Sequence, residues 1–277
     1  MSASVFLVIL FAAALHALWN AIVKGSGDTY LTTALVGLSA AVISAVALPF
    51  LTQPAPASWP FLATSVVLQS AYYFLIAATY GAADMSLAYP LMRGTAPMIV
   101  AVVSATWLGE HLAAGTWAGI ALICLGVTGM AFVRRHGNPK GIGLALANAV
   151  IIAAYTITDG LGARASGAPA AYTMWLAMLT AVPLLAWVLA TRATAFRRYF
   201  AGNVGFGFVG GAATLVSYGL ALWAMTVAPV AVVAALRETS ILFATAIAVL
   251  FLKEKATPAR LAAVGVIAAG AIVLRLA

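Results

Sequence analysis

The sequence predicts an all-α integral membrane protein: ten transmembrane helices arranged as two inverted five-helix repeats. Three observations predict it. Hydrophobic residues fill 65% of the 277 positions and charged residues only 7%, which lies far outside the composition of a water-solvated domain. The apolar residues gather into ten runs, each close to the roughly 20 residues a helix needs to cross a hydrocarbon core. The second half of the chain also repeats the first.

The runs span approximately 3–23, 30–51, 59–80, 85–108, 114–133, 141–161, 169–190, 204–226, 229–252 and 257–275. Glycine, proline and charge separate them, at Lys24 to Asp28, Gln53 to Ala57, Gly81 to Asp84, Gly109 to His111, Arg134 to Lys140, Arg164 to Gly167, Thr191 to Asn203 and Lys253 to Lys255. The first run has no basic flank before it and no small-residue cleavage site after it, so it is expected to stay as a helix. Strand-like alternation is absent, and lipid tolerates only internally hydrogen-bonded backbone, so helices are the reading of every run.

The net charge of +8 follows from a one-sided distribution of cations. Lys24, Arg134, Arg135, Lys140, Arg192, Arg197, Arg198, Lys253, Lys255 and Arg260 sit at odd-numbered loops, whereas the even-numbered loops and the termini hold only Arg164 and Arg275. Cations are retained on the cytoplasmic side, so both termini are expected outside the cytoplasm, in a multi-pass protein of a bacterial inner membrane. The basic residues are scattered through short loops with no interleaved aromatics, and no nucleic-acid partner is expected. Cys124 is the only cysteine, which leaves no disulfide framework. No spacing of His, Cys and carboxylates makes a metal site, and no nucleophile–base pair supports an enzyme.

A gapless shift of 144 residues overlays Ala77–Gly126 on Ala221–Gly270. It pairs Arg93 with Arg237, Thr95 with Thr239, Leu108 with Leu252, Glu110 with Glu254, Ile123 with Ile267 and Gly126 with Gly270. A shift of 135 overlays Ala21–Gly25 on Thr156–Gly160 and sets Lys24 against Asp159. Arg and Glu are rare in this chain, so their recurrence weighs more than matched Ala or Leu. The copies divide at residues 1–136 and 137–277. Five helices per copy is an odd number, so the second copy inserts upside down relative to the first.

Leu108-Gly109-Glu110-His111 running into Trp117 to Leu122 and Gly126-Val127 has a counterpart in Leu252-Lys253-Glu254-Lys255 running into Gly265 and Gly270. Together with Leu15-His16-Ala17-Leu18-Trp19-Asn20 and Lys24, these stretches resemble the drug/metabolite transporter superfamily, specifically its ten-helix members with two EamA repeats. The resemblance implies a transporter of a small metabolite, with an aminophosphonate or amino-acid-like solute suggested by some similar proteins. The expected partners are that solute and the lipid bilayer. The expected working unit is a monomer, with a dimer as the alternative.

Arg93 and Arg237 fall near the middle of runs four and nine, where an arginine is expensive unless it faces the bundle interior. The inverted two-fold sets these runs opposite each other. Two guanidiniums could then converge on one carboxylate or phosphonate, although holding helices together is the plainer role for each. Pro97 removes the helical partner of the Arg93 carbonyl. Glu238, where the first copy has Gly94, is a candidate for proton coupling, for an ammonium contact, or for an internal salt bridge with either arginine.

His16 and Asn20 share one face of the first run and, with Trp19, are candidates to line the pathway. Tyr73, Tyr89 and Tyr218 are candidates for packing around the solute, from a wider set that includes Tyr72 and Tyr155. Lys24 and Asp159 are read as helix-end residues suited to a gate salt bridge or to simple exposure. Glu110 and Glu254 are read as stabilising helix N-termini. No cofactor is expected beyond a coupling proton. The sequence therefore supports a carrier of a small anionic or zwitterionic metabolite, working by alternating access. A proton-coupled exporter of lipophilic cations using Glu238 is the alternative, and a non-transporting scaffold comes third.

Overall fold

The computed structural model describes residues 1–131, 138–250, 253 and 257–277. Ten helices are present among them: α1 (Ala3–Lys24), α2 (Thr29–Ala47), α3 (Trp59–Ala82), α4 (Met85–Thr106), α5 (Ala114–Gly129), α6 (Pro139–Ser166), α7 (Pro169–Val227), α8 (Val230–Arg237), α9 (Ser240–Leu250) and α10 (Pro258–Leu276). The polar punctuation between the runs supplies their caps. Side chains of Ser2, Asp28, Asn138 and Thr257 each accept a backbone N–H of the helix they open, satisfying donors that have no intrahelical partner. Prolines open α3, α6, α7 and α10, where the missing N–H costs nothing.

Two elements differ from the run-by-run expectation. Helix α7 is 59 residues long, and a straight helix of that length would reach about 90 Å, some three times a bilayer core of about 30 Å. It is broken at Arg192, whose φ of −138° and ψ of 27° leave the helical region, and its two arms are runs seven and eight. Run nine is split instead, into α8 and α9, which together form one 21-residue apolar span. Counted this way the chain makes ten crossings, as expected.

Contacts between loops agree with that count. Odd loops meet odd loops: Arg192 pairs with Asp28 at 3.0 Å, and Gly141, just past loop five, abuts Ala82 and Ala83. Even loops meet even loops: the Ala55 N–H donates to the Ser166 carbonyl at 2.9 Å, and Arg164 reaches Glu110 and Ala228. The termini join the even side, where Arg275 donates to the Met1 carbonyl. A miscounted helix would mix the two sets.

The two-fold is physical. Helices α5 and α10 pack against each other through small residues that let backbones approach closely. A Cβ built on Gly126 would stand 2.7 Å from Ile267 Cγ1 and 3.1 Å from the Ala263 carbonyl oxygen. One on Gly270 would stand 2.8 Å from Ile123 Cγ1 and 2.9 Å from the Gly119 carbonyl oxygen. These two contacts are one contact written twice at an offset of 144 residues, the self-complementary pattern of a two-fold interface. The same symmetry relates α3 packed on α6 to α1 packed on the second arm of α7, and α4 on α6 to α1 on α9. Within that second arm, Gly207, Gly210 and Gly211 seat Leu35, Val36 and Ala40 of α2. The expected repeat boundary at 136/137, along with Leu252, Glu254 and Lys255 of the repeated motif, lies outside the described residues.

Candidate functional site

Both arginine-bearing crossings are loosened at the same register. In α4, Pro97 has no N–H to give the Arg93 carbonyl. In the second copy there is neither proline nor glycine, and the helix loosens through a tighter turn. The Glu238 and Thr239 N–H groups donate three residues back, to Ala235 and Leu236, and those of Ile241 and Leu242 donate to Glu238 and Thr239. This i→i−3 pattern separates α8 from α9 directly after Arg237. Discontinuous helices near midplane are where carriers build polar sites.

The arginines reach a common cavity by different routes. Arg93 embraces Glu238, with Nη2 at 2.8 Å from Oε1 and Nε at 3.1 Å from Oε2, a forked, charge-assisted pair. Arg237 stands over the Tyr218 ring, 4.9 Å from its centroid, and has no ion pair among the described residues. A void of about 20 Å³ lies between them, walled by Arg93, Pro97, Tyr155, Thr156, Arg237 and Glu238. That volume holds about one water molecule, so the charged residues pack closely around it.

Asp159 lies behind this cavity, one helical turn beyond Tyr155 and Thr156. It is not at a helix end: α6 continues past the expected stop to Ser166 and ends at Gly167, whose φ of 60° is left-handed. Asp159 is fully buried. Tyr172 donates to its Oδ1 at 3.2 Å, Gln69 to its Oδ2 at 3.1 Å, and the Tyr218 hydroxyl also donates to Oδ2. Gly162 leaves the space the Tyr172 phenol occupies. Lys24 is exposed at the end of α1. The structure does not bring Lys24 and Asp159 together as a gate pair.

The remaining candidates divide. His16 accepts from Trp19 Nε1 at 3.3 Å, and Asn20 donates to the His16 carbonyl at 2.7 Å. This polar strip lies on α1, which packs against α8 and α9. Tyr89 is partly buried against the α4–α6 core. Tyr73 is 38% exposed and outside the cavity wall, while its neighbour Tyr72 turns inward to meet Tyr155 edge-on at 6.1 Å. Gln69 and Tyr172, which hold Asp159, and Thr156, which lines the void, were not singled out by sequence. The available signal was the i, i+3, i+4 spacing of Tyr155 and Thr156 with Asp159.

Glu110 does what its position in the sequence suggested. Its Oε1 accepts the Val230 N–H at 3.0 Å, the first residue of α8, and pairs with Arg164 at 2.9 Å. Arg164 in turn donates to the carbonyls of Met225 and Ala228. The helix that carries Arg237 is therefore anchored to the first repeat on the even-loop side.

A bundle of apolar helices in two inverted halves, with two arginines and a glutamate lining a cavity between them, defines a multi-pass membrane protein of the transporter class. Residues 139–276 match the model of the EamA-like transporter family, and the chain belongs to that family, within the drug/metabolite transporter superfamily. A solved crystal structure aligns with 100% of this chain and 98% of its own length, at a TM-score of 0.76 and 21% identity, a likeness of fold that extends over both halves. No curated protein sequence matches the chain.

Proposed function

We propose that the protein is a secondary carrier of a small zwitterionic or anionic metabolite, and that Arg237 receives the solute's anionic group. One observation carries this reading: Arg237 lines the cavity with no ion pair among the described residues, its guanidinium resting on the Tyr218 ring instead of on a carboxylate. An incoming carboxylate or phosphonate can take the forked geometry arginine favours. Arg93 is already engaged, so its role is to hold Glu238 in the cavity wall. Tyr155, in the cavity wall, offers its ring to an ammonium group.

Transport follows by rocking of one repeat against the other. The Glu110–Arg164 anchor closes the even-loop side, which the cation distribution assigns to the outside. Export of lipophilic cations through Glu238 has less support, since Arg93 occupies both of its oxygens.

Thermal unfolding of the purified chain with a panel of amino acids, carboxylates and phosphonates tests the reading. A bound solute at about 100 times its Kd stabilises by about 2.7 kcal/mol. The expected result is stabilisation by a member of the panel that Arg237→Gln removes. Undiminished stabilisation of Arg237→Gln, or wild-type uptake by it in proteoliposomes, would sink the proposed site.

A further inference from the structure

The chain has six carboxylate side chains: Asp28, Asp84, Glu110, Asp159, Glu238 and Glu254. Asp28, Glu110 and Glu238 each hold an arginine. Asp159 is the most deeply buried of the described ones, with no exposed surface, and has no ion pair among the described residues. Its neighbours are neutral: Tyr172 and Tyr218 from the two arms of α7, and Gln69 from α3, which also donates to Ser65. Tyr155 precedes it by one turn on α6. The elements packed against α6 carry Arg93 on α4, Arg237 on α8 and, around the break in α7 at loop seven, Arg192, Arg197 and Arg198; Arg93 is held by Glu238, Arg192 by Asp28, and the Tyr218 ring lies between Arg237 and Asp159.

An arginine fork would commit a buried carboxylate to its charged form. Phenols and an amide make no such commitment, because a hydroxyl that donates to a carboxylate can accept from a carboxylic acid. A protonated Asp159 can therefore donate to a hydroxyl it now accepts from, Tyr172 or Tyr218, a choice that an arginine fork does not offer.

Charge counting shows the use. The Arg93–Glu238 pair sums to zero, and so do Arg237 and an ionised Asp159. A proton on Asp159 leaves Arg237 uncompensated, and one anionic solute restores neutrality. The empty interior and the interior holding both proton and anion are then neutral, whereas an interior holding one of the two carries net charge into a region where charge is expensive.

We propose that Asp159 is the reversible proton site of the carrier, taking a proton from water on one side and releasing it to water on the other, in step with the anion at Arg237. Tyr218 links the two positions, since its hydroxyl bonds Asp159 and its ring lies under the Arg237 guanidinium. The coupling rests on the transport reading, but proton binding itself does not.

Infrared difference spectra of the whole chain in liposomes, between acid and alkaline buffer and with no solute added, test the site. A protonated carboxyl band of the water-shielded type is expected in the wild-type chain and in Glu238→Gln, lost in Asp159→Asn, and restored at a displaced frequency in Asp159→Glu. Asp159→Glu decides the matter if Asp159→Asn fails gel filtration as a folded monodisperse species. Persistence of the band in Asp159→Asn, an unmoved band in Asp159→Glu, or no such band in the wild type would overturn the proposal. A titrating Asp159 in a chain that no solute in the panel stabilises would leave this site standing and sink the transport reading.

Discussion

Arg93 of the first repeat closes a two-point fork on Glu238 of the second, at 2.8 and 3.1 Å, and so ties the two inverted halves together where each crossing helix is loosened. Breaking a buried pair from one side strands the other charge, at a cost of about 3–5 kcal/mol. Arg93→Met and Glu238→Met are each expected to destabilise by that order, and the double substitution by less than their sum. Unfolding midpoints of the four species in mild detergent give the coupling energy directly.

Arg237 gives the opposite expectation. It has no ion pair to break among the described residues, so Arg237→Gln should keep the apo protein within about 1 kcal/mol of wild type while losing solute-dependent stabilisation. Arg237→Lys keeps the charge but not the fork. It is expected to recover only part of the solute response, read by the same unfolding assay.

The α5–α10 contact predicts symmetric damage. Gly126→Val and Gly270→Val each push a side chain into a facing isoleucine and a backbone carbonyl, and overpacking of this kind costs about 1–3 kcal/mol. Because the two contacts are related by the two-fold, the losses should agree within about 0.5 kcal/mol. The same substitution at Gly265, which has open space around it, should leave the unfolding midpoint nearly unchanged.

Glu110 is expected to matter for structure near the site rather than for solute chemistry. Glu110→Ala removes the acceptor for the Val230 N–H and the partner of Arg164, a loss of about 1–3 kcal/mol. Hydrogen exchange should accelerate at the start of α8 before it does so elsewhere.

Loop parity is open to labelling. In a Cys124→Ser background, single cysteines at Gln53 and Asp84 should react from opposite sides of intact cells or oriented vesicles. An impermeant maleimide added outside is expected to label Gln53→Cys and to spare Asp84→Cys. The reverse pattern would invert the orientation that the cation count assigns.

Sequence by itself determined the ten crossings, because the length of an apolar run is a direct reading of bilayer thickness, and polar breaks at Asp28, Asn138 and Thr257 became helix caps. It determined the repeat as well, since matched positions such as Gly126 and Gly270 must be small for the same packing reason. The kind of role Glu110 plays, stabilising a helix N-terminus, was visible from its place at a helix boundary, although the helix it serves, α8, starts 120 positions away.

Only the tertiary structure decided the partners. Adjacent letters at Arg237 and Glu238 say nothing about which helix each side chain meets. The fold gives Glu238 to Arg93 across 145 positions and leaves Arg237 on a tyrosine ring. It also moved Asp159 from an expected helix end to the buried centre of a hydroxyl cage, because its donors come from α3 and both arms of α7 and have no common spacing in the chain. Local pattern sets where a helix begins and how deep it runs. Which charges are paired and which remain available depends on helices brought together from distant parts of the sequence.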